Sequence, residues 1–348
     1  MTWTTHGLCK TNPVVNDAFP PFASGRPSKR ASWRIFTLAA ALLCAAPAAR
    51  ARDWEVGPGR ALTTPAQAAA VAQDGDRVVF DPGVYVGCAI WGTSGLTLEA
   101  RAVPPGMKQT VMTQAIVTGP ACADRALFVF LGNDIVVRGL VFLRARDSQH
   151  NGAGILMEGA NLTVEAALFQ DNENGILAGG PAHSVVRVRA SWFRGNGACQ
   201  GACAHAIYVG AGIARLEVTG TTIVDTHLGH GIKSRARSTM VRDCRIEDGP
   251  TGTSSYLIEL PNGGDAEIAN NRLMKGSRSD NRDAAISFGT QNNANPTRRL
   301  DIRGNRFANE LPERVIFVRN GTATPATLKG NTIVGPAVAL TGPGTVER

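Results

Sequence analysis

The 348-residue sequence has no apolar run long enough to cross a membrane. Its longest, Ile35 to Ala49, falls short of the ~20 residues a spanning helix needs. A helical membrane span is therefore not expected. Charge of one sign is also scarce. Residues 1–51 hold six Lys/Arg and one Asp, and the remainder carries thirty basic against twenty-seven acidic residues. A nucleic-acid partner would need a concentrated basic face, and so small an excess gives no sign of one. No zinc-type Cys/His spacing and no phosphate-binding loop occurs.

What is present begins with an address. Arg26, Lys29, Arg30 and Arg34 precede the apolar run, and Ala49-Arg50-Ala51 follows it. That is the order of a secretory signal, so residues 1–51 are expected to be a leader. Residues 52–348 are expected to form one exported domain, periplasmic or extracellular, with oligomeric state left open. Export permits disulfides. Of the five cysteines after residue 51, Cys199 and Cys203 bracket a tight "CQGAC" loop. Cys88 and Cys122 are candidates to face each other across coils, and Cys244 is expected to be left over.

A repeat decides the fold class. Segments such as "IVVRGLVF" (135–142), "LTVEAALF" (162–169), "MVRDCRI" (240–246), "EIANNRL" (267–273) and "LDIRGNRF" (300–307) share an extended stretch ending in a large apolar residue. Those apolar ends recur every 23 to 34 residues. Each segment is followed by another, for example "HAIYVG" (205–210), "HGIKSR" (230–235) and "YLIELP" (256–261), with Gly, Asn, Asp and Pro between. Both types are too short for helices and rich in β-formers. A unit of ~25 residues cannot bury an apolar face alone but can when stacked. The expectation is all-β: a right-handed parallel β-helix with three strands per coil. Asn271, Asn305 and Asn331 share one slot and should form an asparagine ladder, with Cys244 in the same slot one coil earlier. "TTPAQAAAVAQ" (63–73) offers Thr64 as N-cap and Pro65 at the first helical position of a short capping helix. Through "DGDRVVFDPGVYVG" (74–87) and its "GNRF"-type segments, the chain resembles parallel β-helix proteins of the pectate-lyase-like superfamily. That fold hosts many chemistries.

Aligning the second segments on Ile207, Ile232 and Ile258 puts Tyr208, Lys233 and Glu259 at the next, outward position. Arg235 lies two residues along from Lys233. His205 and His230 occupy equivalent places two before the isoleucine, and Asn262 begins the turn beside Glu259. Stacked ~4.8 Å apart, these residues are the candidate site. Lys233, His230, Tyr208 and Arg235 are the candidate catalytic groups, with Glu259, Asn262 and His205 as substrate-binding neighbours. β-Elimination of an acidic polysaccharide needs a base, an acid and a cation that neutralises the uronate carboxylate. Lys233 reads as the base, and Tyr208 or His230 as the acid. The competing reading is a structural ion-pair ladder in a non-catalytic binding or surface protein.

Two local resemblances bear on this. Gly229-His230-Gly231 is similar to the GHG motif of polygalacturonases. The preceding coil lacks their aspartates, and Glu259 alone does not make the carboxylate pair of glycoside hydrolysis. "IKSRARSTMVRDCRIED" (232–248) resembles the lysine-serine segment of the alginate lyase and chondroitinase B family. That resemblance implies Lys233 as base, with Glu259 standing where the family has an arginine. The chain is also similar to bacterial β-helix proteins of unassigned role sharing "GH-x-IKSRA" and "SY-x-I-x-LPNGG". No metal site is assigned from the sequence, and calcium is the one candidate. The Asn/Asp-rich "QDNENG" (170–175) and "DAE" (265–267) have oxygens of the type calcium takes, as turns of every coil would.

Overall fold

The computed structural model describes residues 51–102 and 114–347. The expected leader therefore lies outside the described residues, apart from Ala51. No helix among them is long and apolar enough to cross a membrane.

The described residues wind into a right-handed parallel β-helix with three long sheets. One coil runs Leu162–Glu165 in the first sheet, Leu168–Gln170 in the second and Asn174–Ala178 in the third, before Val185–Arg189 re-enters the first. The first sheet has twelve strands and the other two have ten each, all parallel within each sheet. Alternate residues point inward. Ile155, Ile176, Ile207, Ile232, Ile258 and Ile286 pair in sequence along the third sheet, all fully buried. Phe142, Phe169 and Phe193 stack inside the second sheet at 5.0 and 4.6 Å between ring centroids.

The bend between first and second sheets explains why the repeat tolerates so many sequences. The residue before the shared slot takes a left-handed backbone in every coil from Gly139 to Gly330, including Asp243 and Asn270. Glycine, Asn and Asp adopt this conformation at low cost. Where the next residue is polar, its side chain turns inward and caps the neighbouring coil. Asn271 Nδ2 donates to Asn305 Oδ1 and Asn305 Nδ2 to Asn331 Oδ1, both at 2.9 Å. Cys244 N–H donates to Asn271 Oδ1 at 2.9 Å, so the ladder starts where its sequence slot predicts. A second rung pair, Asn172 and Asn196, forms at the next bend and was not expected.

The helix is Pro65–Val71, with Thr64 as N-cap and a capping box completed by Gln67. It touches Asp53–Val56 and Ala89–Trp91, which end the first and third sheets. Disulfides join Cys88 to Cys122 and Cys199 to Cys203, and Cys244 is free and buried.

Candidate active site

Tyr208 pairs with Lys233, and Lys233 with Glu259, on adjacent strands of the third sheet. The column points away from the isoleucine core, as its register requires. Along it exposure falls, from half-buried Tyr208 and Lys233 to a closed end. Glu259 is 4% exposed and Ser287, next in line, is fully buried.

The two glycines of the GHG triplet are there for packing. A Cβ on Gly229 would lie 1.8 Å from the Ala204 carbonyl oxygen, and one on Gly231 would lie 2.7 Å from that of Leu257. Only glycine lets the coils approach this closely. The histidine between them stacks on His205, ring centroids 4.7 Å apart and nearly parallel. His205 Nδ1 accepts the His230 N–H at 2.9 Å, and His230 Nδ1 accepts the Tyr256 N–H at 3.1 Å. Burial holds His205 well below the usual histidine range, helped by His230, Lys233 and Arg235 nearby. Burial also lowers His230, against the pull of Glu259. Both rings are therefore neutral near neutral pH, with each Nδ1 committed as an acceptor.

Glu259 sits at the centre of this network. Its Oε1 accepts from Thr290 Oγ1 at 2.9 Å. Its Oε2 lies 3.1 Å from His230 Nε2 and 3.4 Å from Lys233 Nζ. Neither nitrogen gives it a well-aligned hydrogen bond, and with His230 neutral the charge beside this oxygen is that of Lys233. Burial alone would raise the carboxyl, but His230, Lys233 and Thr290 outweigh it and bring its pKa down to about 2.

Arg235 is held differently. Its Nε donates to Tyr208 Oη at 3.2 Å, and Nη1 donates to Asn262 Oδ1 and, at 2.6 Å, to Gln291 Oε1. All three acceptors are neutral. Among the described residues Arg235 makes no ion pair, whereas most arginines of the first sheet do. It is an oriented cation whose charge no protein carboxylate neutralises.

The structure thus brings all seven candidate residues into one neighbourhood. It adds Thr290, Gln291, Tyr256 and Lys275, which sequence reasoning missed. Tyr256 could have been found, since it holds the place two before Ile258 that His205 and His230 hold in their coils. Its ring continues their stack at 5.4 Å from His230. Thr290 and Gln291 come from an irregular turn with no periodic signal. Lys275 is fully buried, and burial lowers it to about 8. Its Nζ donates to the carbonyl oxygens of Ser254 and Ser255, just before Tyr256.

The calcium candidates do not fit a cation. Glu173 Oε2 accepts backbone N–H groups from Asp147 and Gly152. Asp265 accepts from Arg298 and Arg299, and Glu267 is paired with Arg242 and Arg303. No group of three His, Cys, Asp or Glu gathers as a metal cluster among the described residues.

No family model matches the chain. No curated protein matches it either. Among solved structures it is similar to the pectate lyase Pel9A at 14% identity and a TM-score of 0.48, covering 83% of this chain and 78% of that one. It is similar to an alginate lyase from Paenibacillus sp. str. FPU-7 at 14% identity and a TM-score of 0.44, covering 83% and 99%. The A-module of the Azotobacter vinelandii mannuronan C-5 epimerase AlgE4 follows at 15% and 0.39, covering 81% and 92%. At such identities the chemistry of those proteins does not transfer to this chain, and its fold rests on its own strand pairing.

Proposed function

We propose that this is an exported protein that binds an acidic polysaccharide across the third sheet and cleaves it by β-elimination. The observation that carries the reading is Arg235, oriented by Tyr208, Asn262 and Gln291 yet paired with no carboxylate. A guanidinium so placed suits a uronate carboxylate, which it can bind through two parallel N–H groups. The two disulfides suit an oxidising compartment and support export.

In this reading Arg235 neutralises the carboxylate, which makes the neighbouring C5 proton removable and stabilises the anion that forms. Tyr208 Oη, against the guanidinium, acts as a phenolate: it takes the C5 proton to become the neutral phenol and then gives that proton to the departing O4, which restores the phenolate. The C4–O4 bond breaks, and a C4–C5 double bond replaces it. Lys233, beside the Glu259 carboxylate, acts better as a second fixed cation than as the base. His230 faces Glu259 and holds the Tyr256 backbone, which makes it a positioning residue.

The test is incubation with polygalacturonate, alginate and glycosaminoglycans, following ultraviolet absorbance of the unsaturated uronate product. Tyr208→Phe should abolish product formation and keep binding, while Arg235→Ala should abolish product formation and weaken binding. A second reading, binding without cleavage, is favoured by the burial of His230 and the pairing of Lys233, which leave Tyr208 alone for proton transfer. Retained binding with no unsaturated product from any of these polymers would establish it.

A further inference from the structure

The second sheet carries a surface that the candidate site does not use. Its outward positions stay in register from coil to coil. Trp192 pairs with Thr222, Thr222 with Arg245, Arg245 with Arg272, and Arg272 with Arg306. Three arginines 27 and 34 residues apart in sequence therefore stack at ~4.8 Å intervals. All three are exposed. Buried Glu247 pairs with Arg245 and Arg272. Arg306 makes no ion pair among the described residues.

One run of the first sheet arranges charge differently, although the same sheet also sets Arg303 opposite Lys329. There Glu99, Arg138, Glu165 and Arg189 pair in register with alternating sign. Like charges directly opposite each other on neighbouring strands are destabilising, so the arginine column is unfavourable for the fold on its own. A ligand that supplies the missing negative charge would relieve it. At the other end of the column Trp192 is 52% exposed, with exposed Arg194 beside it on the same strand.

We infer that this column is a second polysaccharide-binding surface, taking an extended acidic chain along the axis of the solenoid. Carboxylates would lie over Arg245, Arg272 and Arg306, where guanidinium groups present paired donors. A sugar ring would lie on the Trp192 indole, a flat apolar face with a polar edge. The choice of a sugar polymer over another polyanion rests on the function proposed for the third sheet; the surface itself does not. A chain held here stays tethered to the protein independently of its engagement at Arg235.

The experiment uses the full chain, with polygalacturonate and alginate as probes and calorimetric titration at low and raised salt. In an Arg235→Ala background, salt-dependent binding should persist. Adding Arg272→Gln and Arg306→Gln should weaken that remainder at least tenfold and flatten its salt dependence, since fewer charges are then engaged. Arg245 is kept so that Glu247 retains a partner, and circular dichroism confirms the fold of each variant. Trp192→Ala should remove the change in tryptophan fluorescence on polymer binding. The inference is overturned if Arg235→Ala alone abolishes binding, if the two glutamines leave the remainder unchanged, or if neither polymer binds the unmodified chain. Displacement by duplex DNA or polyglutamate as readily as by polygalacturonate would overturn the assignment to a sugar polymer. Loss through the glutamine pair alone, with Arg235→Ala silent, would support this surface and sink the site on the third sheet.

Discussion

Glu259→Gln should destabilise the protein in a way that depends on pH. The side chain is buried, and its carboxylate lies between Lys233 and His230. A fall in pKa from 4.5 to about 2 corresponds to about 3 kcal/mol of stabilisation of the charged form. Because the folded-state pKa is depressed, that stability is fully present above the unfolded value of 4.5 and is lost as pH falls toward about 2. Glutamine keeps the shape and can still accept from Thr290, so the variant removes charge with little change in packing. Urea unfolding of both proteins across this range should show the variant about 3 kcal/mol less stable near neutral pH. The difference should shrink steadily below the unfolded pKa and close at the acid end. A difference that does not vary with pH, or none near neutrality, would refute the account of Glu259 as a buried charge held by Lys233 with His230 and Thr290 beside it.

Asn305→Ala would strip partners from the Asn271 amide, the Ile268 carbonyl and Asn331 Oδ1, at about 1–3 kcal/mol for each buried group left unpaired. Urea midpoints should show a loss larger than that of Asn331→Ala, at the end of the ladder. Burial pushes the Cys244 thiol up to about 12, so peptide mapping after alkylation should find it unlabelled in the native protein and labelled once unfolded. His230→Asn should cost about 1–2 kcal/mol by disturbing its side-chain bond with the Tyr256 N–H and its stacking on His205, while polysaccharide binding per folded molecule is retained. Lost turnover with unchanged stability would make His230 the proton donor instead.

The histidine stack and the asparagine ladder were both legible as places in a repeat. So was the Tyr208-Lys233-Glu259 column, because a side chain's direction follows from alternation along a strand. Thr290 and Gln291 were not legible, since they reach the site from an irregular turn. Lys275 lies inside the solenoid as a lysine, against the pattern that puts apolar residues there, and no periodicity announces such an exception.

The sequence by itself determined which residues stand beside which. Apolar ends and left-handed bend residues recur in every coil, and a shift of one residue would turn the core outward. Only the tertiary structure decided their surroundings. Lys233 and Glu259 have the neighbours expected of an exposed pair, yet the packing around them buries the carboxylate and makes its charge strong. Arg245, Arg272 and Arg306 each precede an apolar end, visible in "CRI", "NRL" and "NRF". In the chain they are isolated charges among residues 52–348, which carry thirty basic against twenty-seven acidic residues. Coiling brings them within about 5 Å of one another, because the solenoid converts a separation of a whole repeat into a single strand spacing.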